Sequence, residues 1–381
     1  MALCDIIPAR NHATLLPSAV DAQPPGLSNR IHQKHGGCLH CRKTRNRDDD
    51  AVRKNQIGIF LRSLSWRRCF QQSGLLKSAM NAKVTVGVPI YNGERTLRRC
   101  IDSLLAQTYP ACVIHIADNG SRDGSRDVAS AIIAEHPDVQ LTSHPTNLGP
   151  AGNFGFLLRQ AKTEYFMWLA ADDWVAPDYV ARMVEVLESR PDVVACAARV
   201  EFGRGEHSRF SGGAYPLRHS IKENLAVFLS NPSDNARIYG LYRRAALVEA
   251  FPLRHFHAFD WAATAGTLRF GKHEEVAETL TFRDDTPASE YLAAIQKDNP
   301  TRIGRMFPLL PMTCDLVRRQ KIPLSFPIIA ALINLNVDYS LAHAAYRANR
   351  LKRPLGFAHK FWKQRIGWRL GTRNRDEAPR N

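Results

Sequence analysis

A chain of 381 residues has room for one large domain or two ordinary ones with extensions, and a hydrophobic share of 44% is that of a globular protein. Eight cysteines scattered over such a length exclude a disulfide-built scaffold. The formal charge of +16 sits at the two ends: residues 1–79 carry 13 Lys/Arg against 5 Asp/Glu, residues 342–381 carry 11 against 2, and the stretch 80–341 is near neutral at 28 against 29.

Residues 1–79 are rich in Pro, Gly, Gln, Arg and His without a sustained hydrophobic period, which predicts a disordered basic arm. Within it only Cys38 and Cys41, in GGCLHCRK, have ligand-like spacing. His35 and His40 are near, but no second CxxC exists, so a four-ligand zinc site is not expected. Met80 stands just before VTVGVPIYN, which makes it a candidate start of translation and the arm a dispensable leader. Basic ends suit an anionic membrane face or nucleic acid. The near-neutral middle lacks interleaved aromatic and basic patches, so nucleic acid is not expected.

From Val84 the chain alternates between strand and helix. Strands are predicted at 84–88, 113–117, 139–143, 165–170 and 193–199, and helices at 94–107, 126–135, 153–161 and 178–189. Short connections between such elements define an α/β fold, a mostly parallel sheet flanked by helices. In open sheets of this kind ligands bind beyond the carboxyl ends of the strands. Those ends are polar here: Pro89, Tyr91, Asn92 and Glu94 after the first strand, Asp118 and Asn119 after the second, Asn147 and Gly149 after the third, Asp172 and Asp173 after the fourth.

Asn119-Gly120 and Asp123-Gly124 are also ordinary turn dipeptides, and Asp123 or Ser125 suits a helix cap. Asp118 ends an apolar strand where no cap is needed, which favours ligand contact. Pro177 places the cap of the following helix nearer Ala176 than Asp173. Adjacent carboxylates at 172 and 173 repel, and a hard cation between them and phosphate oxygens relieves that repulsion. No GxxxxGK[ST] or GxGxxG loop follows the first strand, so a diphosphate must be held by another route.

Four segments in order, VGVPIYNGERTLRRCIDSLLAQTYP, IADNGSRDGS, NLGPAGNFG and YFMWLAADDWVAPDY, resemble the family 2 glycosyltransferases, over about Val84 to Phe282. The resemblance implies the GT-A fold, a Rossmann-like sheet that binds a nucleotide-sugar donor, with a helical C-terminal extension. It implies donor contacts from Pro89, Tyr91, Asn92, Glu94, Asp118, Asn119, Asn147, Gly149 and Asp172. Mn2+ or Mg2+ would be held by Asp172 and Asp173. Where relatives often carry a further aspartate, this chain has Ala170. The segment FHAFDWAATAGTLRFGK resembles the one bearing the catalytic base, which makes Asp260 the candidate base, with a helix N-cap as its alternative role. Arg283, in VAETLTFRDD, is a candidate contact to donor phosphate.

The implied organisation is an arm at 1–79, a glycosyltransferase domain at 80–290 and a basic helical region at 291–381. The implied acceptor is a glycan or a lipid-linked group, as in cell-surface polysaccharide or glycolipid synthesis. Phe326–Val337 is the most apolar stretch, but it is short, contains two asparagines and reads as a buried or interfacial helix. LKRPLGFAHKFWKQRIGWRL after it mixes Lys/Arg with aromatics, suiting peripheral contact with an anionic membrane or simply a solvated basic helix. The start of the chain lacks a charged-then-apolar leader pattern, so the default expectation is the cytoplasm, with contact at the inner face of the plasma membrane. A sugar nucleotidyltransferase and a non-catalytic sugar-nucleotide-binding protein are the alternatives.

Overall fold

The computed structural model describes residues 82–284 and 301–350, apart from 111, 204–207, 214, 302, 303 and 305. The chain divides between Ser73 and Gly74, and every described residue belongs to the second unit. The N-terminal arm with its Cys38–Cys41 pair, Met80, and the basic tail from Leu351 lie outside the described residues.

The first strand, β1 (Val84–Ile90), is buried on both faces, as its run of β-branched residues requires. Helix α1 (Leu97–Leu105) turns Leu97, Cys100, Ile101 and Leu104 inward. Then come β2 (Cys112–Asp118), α2 (Ser125–Glu135), β3 (Gln140–Ser143), α3 (Pro150–Gln160) and β4 (Tyr165–Trp168). These alternating elements build the parallel half of the sheet, ordered β3-β2-β1-β4, with Val84 registered against both Cys112 and Tyr165.

The second half is mixed. It contains β5 (Trp174–Val175), α4 (Tyr179–Ser189), β6 (Val193–Phe202), β7 (Arg209–Phe210) and α5 (Ile221–Ser230). A 3₁₀ turn (Ala236–Tyr239) leads into β8 (Leu241–Arg243), α6 (Arg244–Ala250), α7 (Phe259–Thr267) and β9 (Lys272–Arg283). Strand β8 runs antiparallel to β4 and β6, while β6 and β9 pair in parallel with register shifts along their length. The two-residue β5 pairs antiparallel with the end of β9, which brings Trp174 opposite Phe282. Parallel pairing thus covers the first four strands and returns only at β6–β9.

One face of the sheet packs on α1, α2 and α4 through Val86, Ile101, Ile132, Met183 and Leu187. The opposite face carries Leu157, Phe166, Trp168, Tyr242 and Phe251. Helix α3 lies close to β1: a Cβ on Gly87 would come within 3.0 Å of both Leu157 Cβ and Phe166 Cζ. The C-terminal helices α8 (Leu310–Cys314) and α9 (Phe326–Arg350) share a core with α5 and α7 built from Phe228, Trp261, Leu316, Ile328, Leu335 and Tyr339. The stretch 326–337, expected to be a short buried or interfacial helix, is the first half of α9.

Trp168 is fully buried at the end of β4, its ring 5.4 Å from Phe154 and 5.6 Å from Phe251, with Nε1 donating to the Phe154 carbonyl at 3.1 Å. Trp168→Ala leaves a cavity beneath the strand that leads into the acidic turn. It is expected to lower unfolding free energy by about 3–5 kcal/mol in urea titration.

Candidate active site

The polar strand ends meet as the chain order predicts, and most of their polar atoms bind one another. After β1, Asn92 adopts a left-handed backbone (φ 56°). Its N–H donates to Ser121 Oγ at 3.0 Å and its Oδ1 accepts from the Arg122 N–H at 2.9 Å. Gly93 N–H donates to Ser125 Oγ at 2.8 Å, Glu94 N–H to Asp123 Oδ2 at 3.1 Å, and Glu94 Oε2 accepts from Gly124 N–H at 3.0 Å. Burial pushes the Asp123 pKa up, but the Ser125 hydroxyl and the N–H groups of Glu94 and Ser125 outweigh it and leave the carboxyl below its ordinary value.

Asn119, 4% exposed, ties this pair of loops to the third. Its Nδ2 donates to Asn147 Oδ1 at 3.1 Å and to the Gly149 carbonyl at 3.2 Å, and its Oδ1 accepts from Leu148 N–H at 2.8 Å. Gly149 itself sits at φ 74°, the left-handed region glycine enters without steric cost.

Asp118 is fully buried, with Oδ1 accepting from Ser121 N–H at 3.0 Å and Oδ2 from Arg126 Nε at 2.6 Å. Burial raises its pKa, and Ser121 and Arg126 pull it back below the ordinary carboxylate value. Of the strand-end residues, Tyr91, Asn92, Glu94, Asn147 and Asp172 are exposed, while Pro89 and Gly149 are half-buried.

The acidic turn follows β4. Asp173 N–H closes it by donating to the Ala170 carbonyl at 3.0 Å. Asp172 is exposed and Asp173 is 1% exposed, so the adjacent carboxylates point into different surroundings. Arg283, from the end of β9, lies 3.0 Å from Asp173 Oδ2 and donates Nε to Oδ1 at 3.1 Å. Burial pushes the Asp173 carboxyl up to about 7, with Arg283 pulling it down and Asp172 adding to the rise. Arg283 therefore faces an acidic partner inside the protein, between Phe202 and Tyr239, rather than an open phosphate position. Arg99 from α1 anchors the turn: Nη2 donates to the Asp172 carbonyl at 2.5 Å and to Asp284 Oδ2 at 2.7 Å, with the guanidinium 4.0 Å from the Trp174 ring centre.

These residues fit a hard divalent cation in a limited way. Asp172 offers an exposed carboxylate, and buried Asp173 Oδ2 has no hydrogen bond of good geometry despite its closeness to Arg283. Among the described residues no group of three or more His, Cys, Asp or Glu side chains could enclose an ion. An ion here would take its remaining ligands from water or phosphate, as Mg2+ and Mn2+ sites do.

Asp260 lies in the first turn of α7, one residue inside the helix from Phe259; the N-cap position itself belongs to Ala258 with φ 62°, and the N–H groups of Asp260 and Trp261 lower the Asp260 pKa. Its Oδ2 accepts from Asn235 Nδ2 at 2.9 Å. Burial raises the Asp260 pKa, and Asn235 and then His257 oppose that rise. Trp261 turns into the helical core against Tyr339, with ring centres 5.2 Å apart, and Phe259 packs on Phe154 at 5.7 Å. Tyr239 links the two acidic regions: after desolvation, and against the pull of Arg283, the charges of Asp173, Asp172 and Asp260 raise its phenol pKa. Arg99, Arg126 and Asn235 were not singled out in the sequence, and Arg283, a candidate phosphate contact there, turns inward to Asp173. The left-handed turn at Asn235 has a composition signal, NPSDN, but nothing in it indicates contact with Asp260.

Residues 85–251 match the model of glycosyl transferase family 2. An uncharacterized glycosyltransferase of Nostoc sp. is 30% identical over 220 residues, which cover 56% of this chain and 67% of that protein. The putative glycosyltransferase EpsH of Bacillus subtilis is 29% identical over 177 residues, 45% of this chain and 51% of its own length. The mannosyltransferase PcManGT from Pyrobaculum calidifontis, solved in complex with GDP-Man and Mn2+, superposes with TM-score 0.48 at 22% identity, covering 75% of this chain and 83% of that one. The chain belongs to glycosyltransferase family 2. The matches span from about half to two thirds of these two sequence relatives.

Asn119→Ala removes the tie between the loops, with the Leu148 N–H and the oxygens of Asn147 and Gly149 losing their bond to it. Unfolding free energy is expected to fall by about 1–3 kcal/mol. Hydrogen exchange at the Leu148 amide should accelerate strongly, while amides within β1 keep their relative protection.

Proposed function

We propose that this chain transfers a sugar from a nucleotide-diphosphate donor to an acceptor hydroxyl with inversion at the anomeric carbon. The observation that carries the reading is the contrast between two carboxyl groups. Asp172 is exposed on a turn pinned by Arg99, whereas Asp260 is held by Asn235 with its pKa raised by desolvation. An exposed carboxylate suits cation and phosphate chemistry, and a desolvated one suits proton transfer near neutral pH.

Asp260 removes the proton from the acceptor hydroxyl as its oxygen attacks the anomeric carbon. The bond from that carbon to the diphosphate oxygen breaks, its electron pair leaving with the nucleoside diphosphate. Asp172, with Asp173 beside it, would hold Mn2+ or Mg2+, which when bound stabilises negative charge on the diphosphate. The welded loops after β1, β2 and β3 form the floor on which the nucleoside lies. There Tyr91 presents an exposed ring, Asn92, Glu94 and Asn147 are exposed, and Gly149, half-buried, shapes the loop with its backbone bonded. Asp118 and Asn119 act mainly through loop geometry, since their side chains are buried and bonded.

Asp260→Asn is expected to cut transfer by about 10²–10⁴-fold while leaving nucleoside diphosphate affinity within about twofold. For the parent enzyme the acidic limb of kcat should lie above the ordinary carboxylate range, since the base must be deprotonated and desolvation raises its pKa. NMR of the first product formed should show the anomeric configuration opposite to that of the donor. Retention, or full activity of Asp260→Asn, contradicts the mechanism.

The acceptor side is read from α9. Phe326, Ile329, Ile333, Val337 and Leu341 follow one outward stripe of this helix and are between 43% and 84% exposed. Its opposite side buries Ile328, Leu332, Leu335 and Tyr339. From 322 to 346 the sequence has no Lys or Arg, and beyond it nine follow between 351 and 381. An apolar stripe continued by a basic segment suits an anionic lipid surface, with the acceptor presented by a lipid. No helix among the described residues is long and apolar enough to cross a membrane.

The full chain should float with vesicles containing anionic phosphatidylglycerol and not with pure phosphatidylcholine. The double variant Ile333→Asp/Val337→Asp should lose that binding. Failure to float, or a dimer abolished by the same variant, contradicts the lipid assignment.

A further inference from the structure

Asn235 is fully buried and has a left-handed backbone (φ 47°). Its neighbours fix it in that pose. Asn235 N–H donates to the Pro232 carbonyl at 3.0 Å, and its own carbonyl accepts from Ile238 N–H at 3.0 Å to start the 3₁₀ turn. Asp234 Oδ1 accepts from Ser211 Oγ at 2.7 Å and from Ala236 N–H at 3.2 Å. Arg237, 2% exposed, anchors the other side by donating to the carbonyls of Gly213 at 3.0 Å and Tyr215 at 2.7 Å. A loop tied at so many points presents one side-chain amide, and its Nδ2 reaches Asp260 Oδ2 at 2.9 Å. The amide Oδ1 is buried without a hydrogen-bond partner.

We infer that Asn235 is a positioning residue for proton transfer, which orients the Asp260 carboxyl toward the acceptor hydroxyl by holding its Oδ2. This rests on the proposed role of Asp260 as base. The amide has two possible orientations, and the one with Nδ2 toward Asp260 satisfies the carboxylate. Burying Oδ1 without a partner costs free energy, and the donor bond to a charged group offsets it. The same bond opposes the effect of burial, so the base is deprotonated at lower pH than its desolvation alone would allow.

The charged and titratable groups coupled to Asp260 come from three elements. They are His257 in the turn before α7, Tyr239 in the 3₁₀ turn and Tyr242 on β8. None of them is altered by a change at position 235, so a limb belonging to any of them should stay in place.

Asn235→Gly tests the inference cleanly, because glycine enters the left-handed region freely and only the amide is lost. It should remain folded, bind nucleoside diphosphate with unchanged affinity, and lose about tenfold in kcat. Its acidic limb should move up by about one pH unit, the scale of one hydrogen bond to a charged group. The isosteric Asn235→Asp keeps the shape and adds a like charge, so its limb should move further up and its activity should recover at high pH. A pH profile of Asn235→Gly that overlays the parent's, with Asp260→Asn inactive, overturns the positioning role and leaves the base assignment standing. Substantial turnover by Asp260→Asn overturns both.

Discussion

The side-chain amide of Asn119 is the constraint on which the candidate site depends. Parallel strands end with unsatisfied backbone groups and with loops that could take many paths. Here one buried amide accepts from the loop after β3 and donates back to it, while the Asn119 N–H donates to the Ile90 carbonyl at the end of β1. Three loops from three strands are thereby held as one surface. The turn residues Asn92 and Gly149, with their left-handed backbones, make that closure possible.

With the loops fixed, the carboxylates differ by what surrounds them. Asp118 is matched by Arg126 and a backbone N–H, and its pKa stays low. Asp173 is matched by Arg283 yet lifted by burial, and Asp172 beside it is exposed. Asp260 sets the Asn235 amide, the nearby His257 and the N–H groups of Trp261 and Asp260 against desolvation, and its pKa is still raised. Four acidic side chains thus occupy four electrostatic situations within one face of the molecule. Acid–base chemistry requires such separation, because identical carboxylates would titrate together.

Much of the architecture was legible in the sequence. The strand–helix alternation from Val84 to Ser189 carries two clean hydrophobic periods, and the structure places its elements within a few residues of the expected bounds. The mixed second half was less legible. The two-residue β5 and β7 and the three-residue β8 are too short to show a period, and β8 and β9 join the sheet through long-range pairing. At the site, Asp118, Asn119 and the acidic pair stood out because polar residues ended apolar strands. Their partners did not: Arg99 and Arg126 look like any surface arginine until the fold brings an acid or carbonyl to them, and Arg283, read as a phosphate contact, pairs with Asp173. Asn235 and Asp260 lie 25 residues apart, with β8 and α6 between them, so no spacing rule links them.

The proposed transfer from a nucleotide-sugar depends on a divalent metal at Asp172. Its most direct test is product analysis over a panel of sugar nucleotides with Mn2+ or Mg2+, repeated with chelator and with Asp172→Ala. The account expects free nucleoside diphosphate from at least one donor, abolished by chelator and by the substitution. Release of pyrophosphate, or nucleoside diphosphate release indifferent to both treatments, would contradict it.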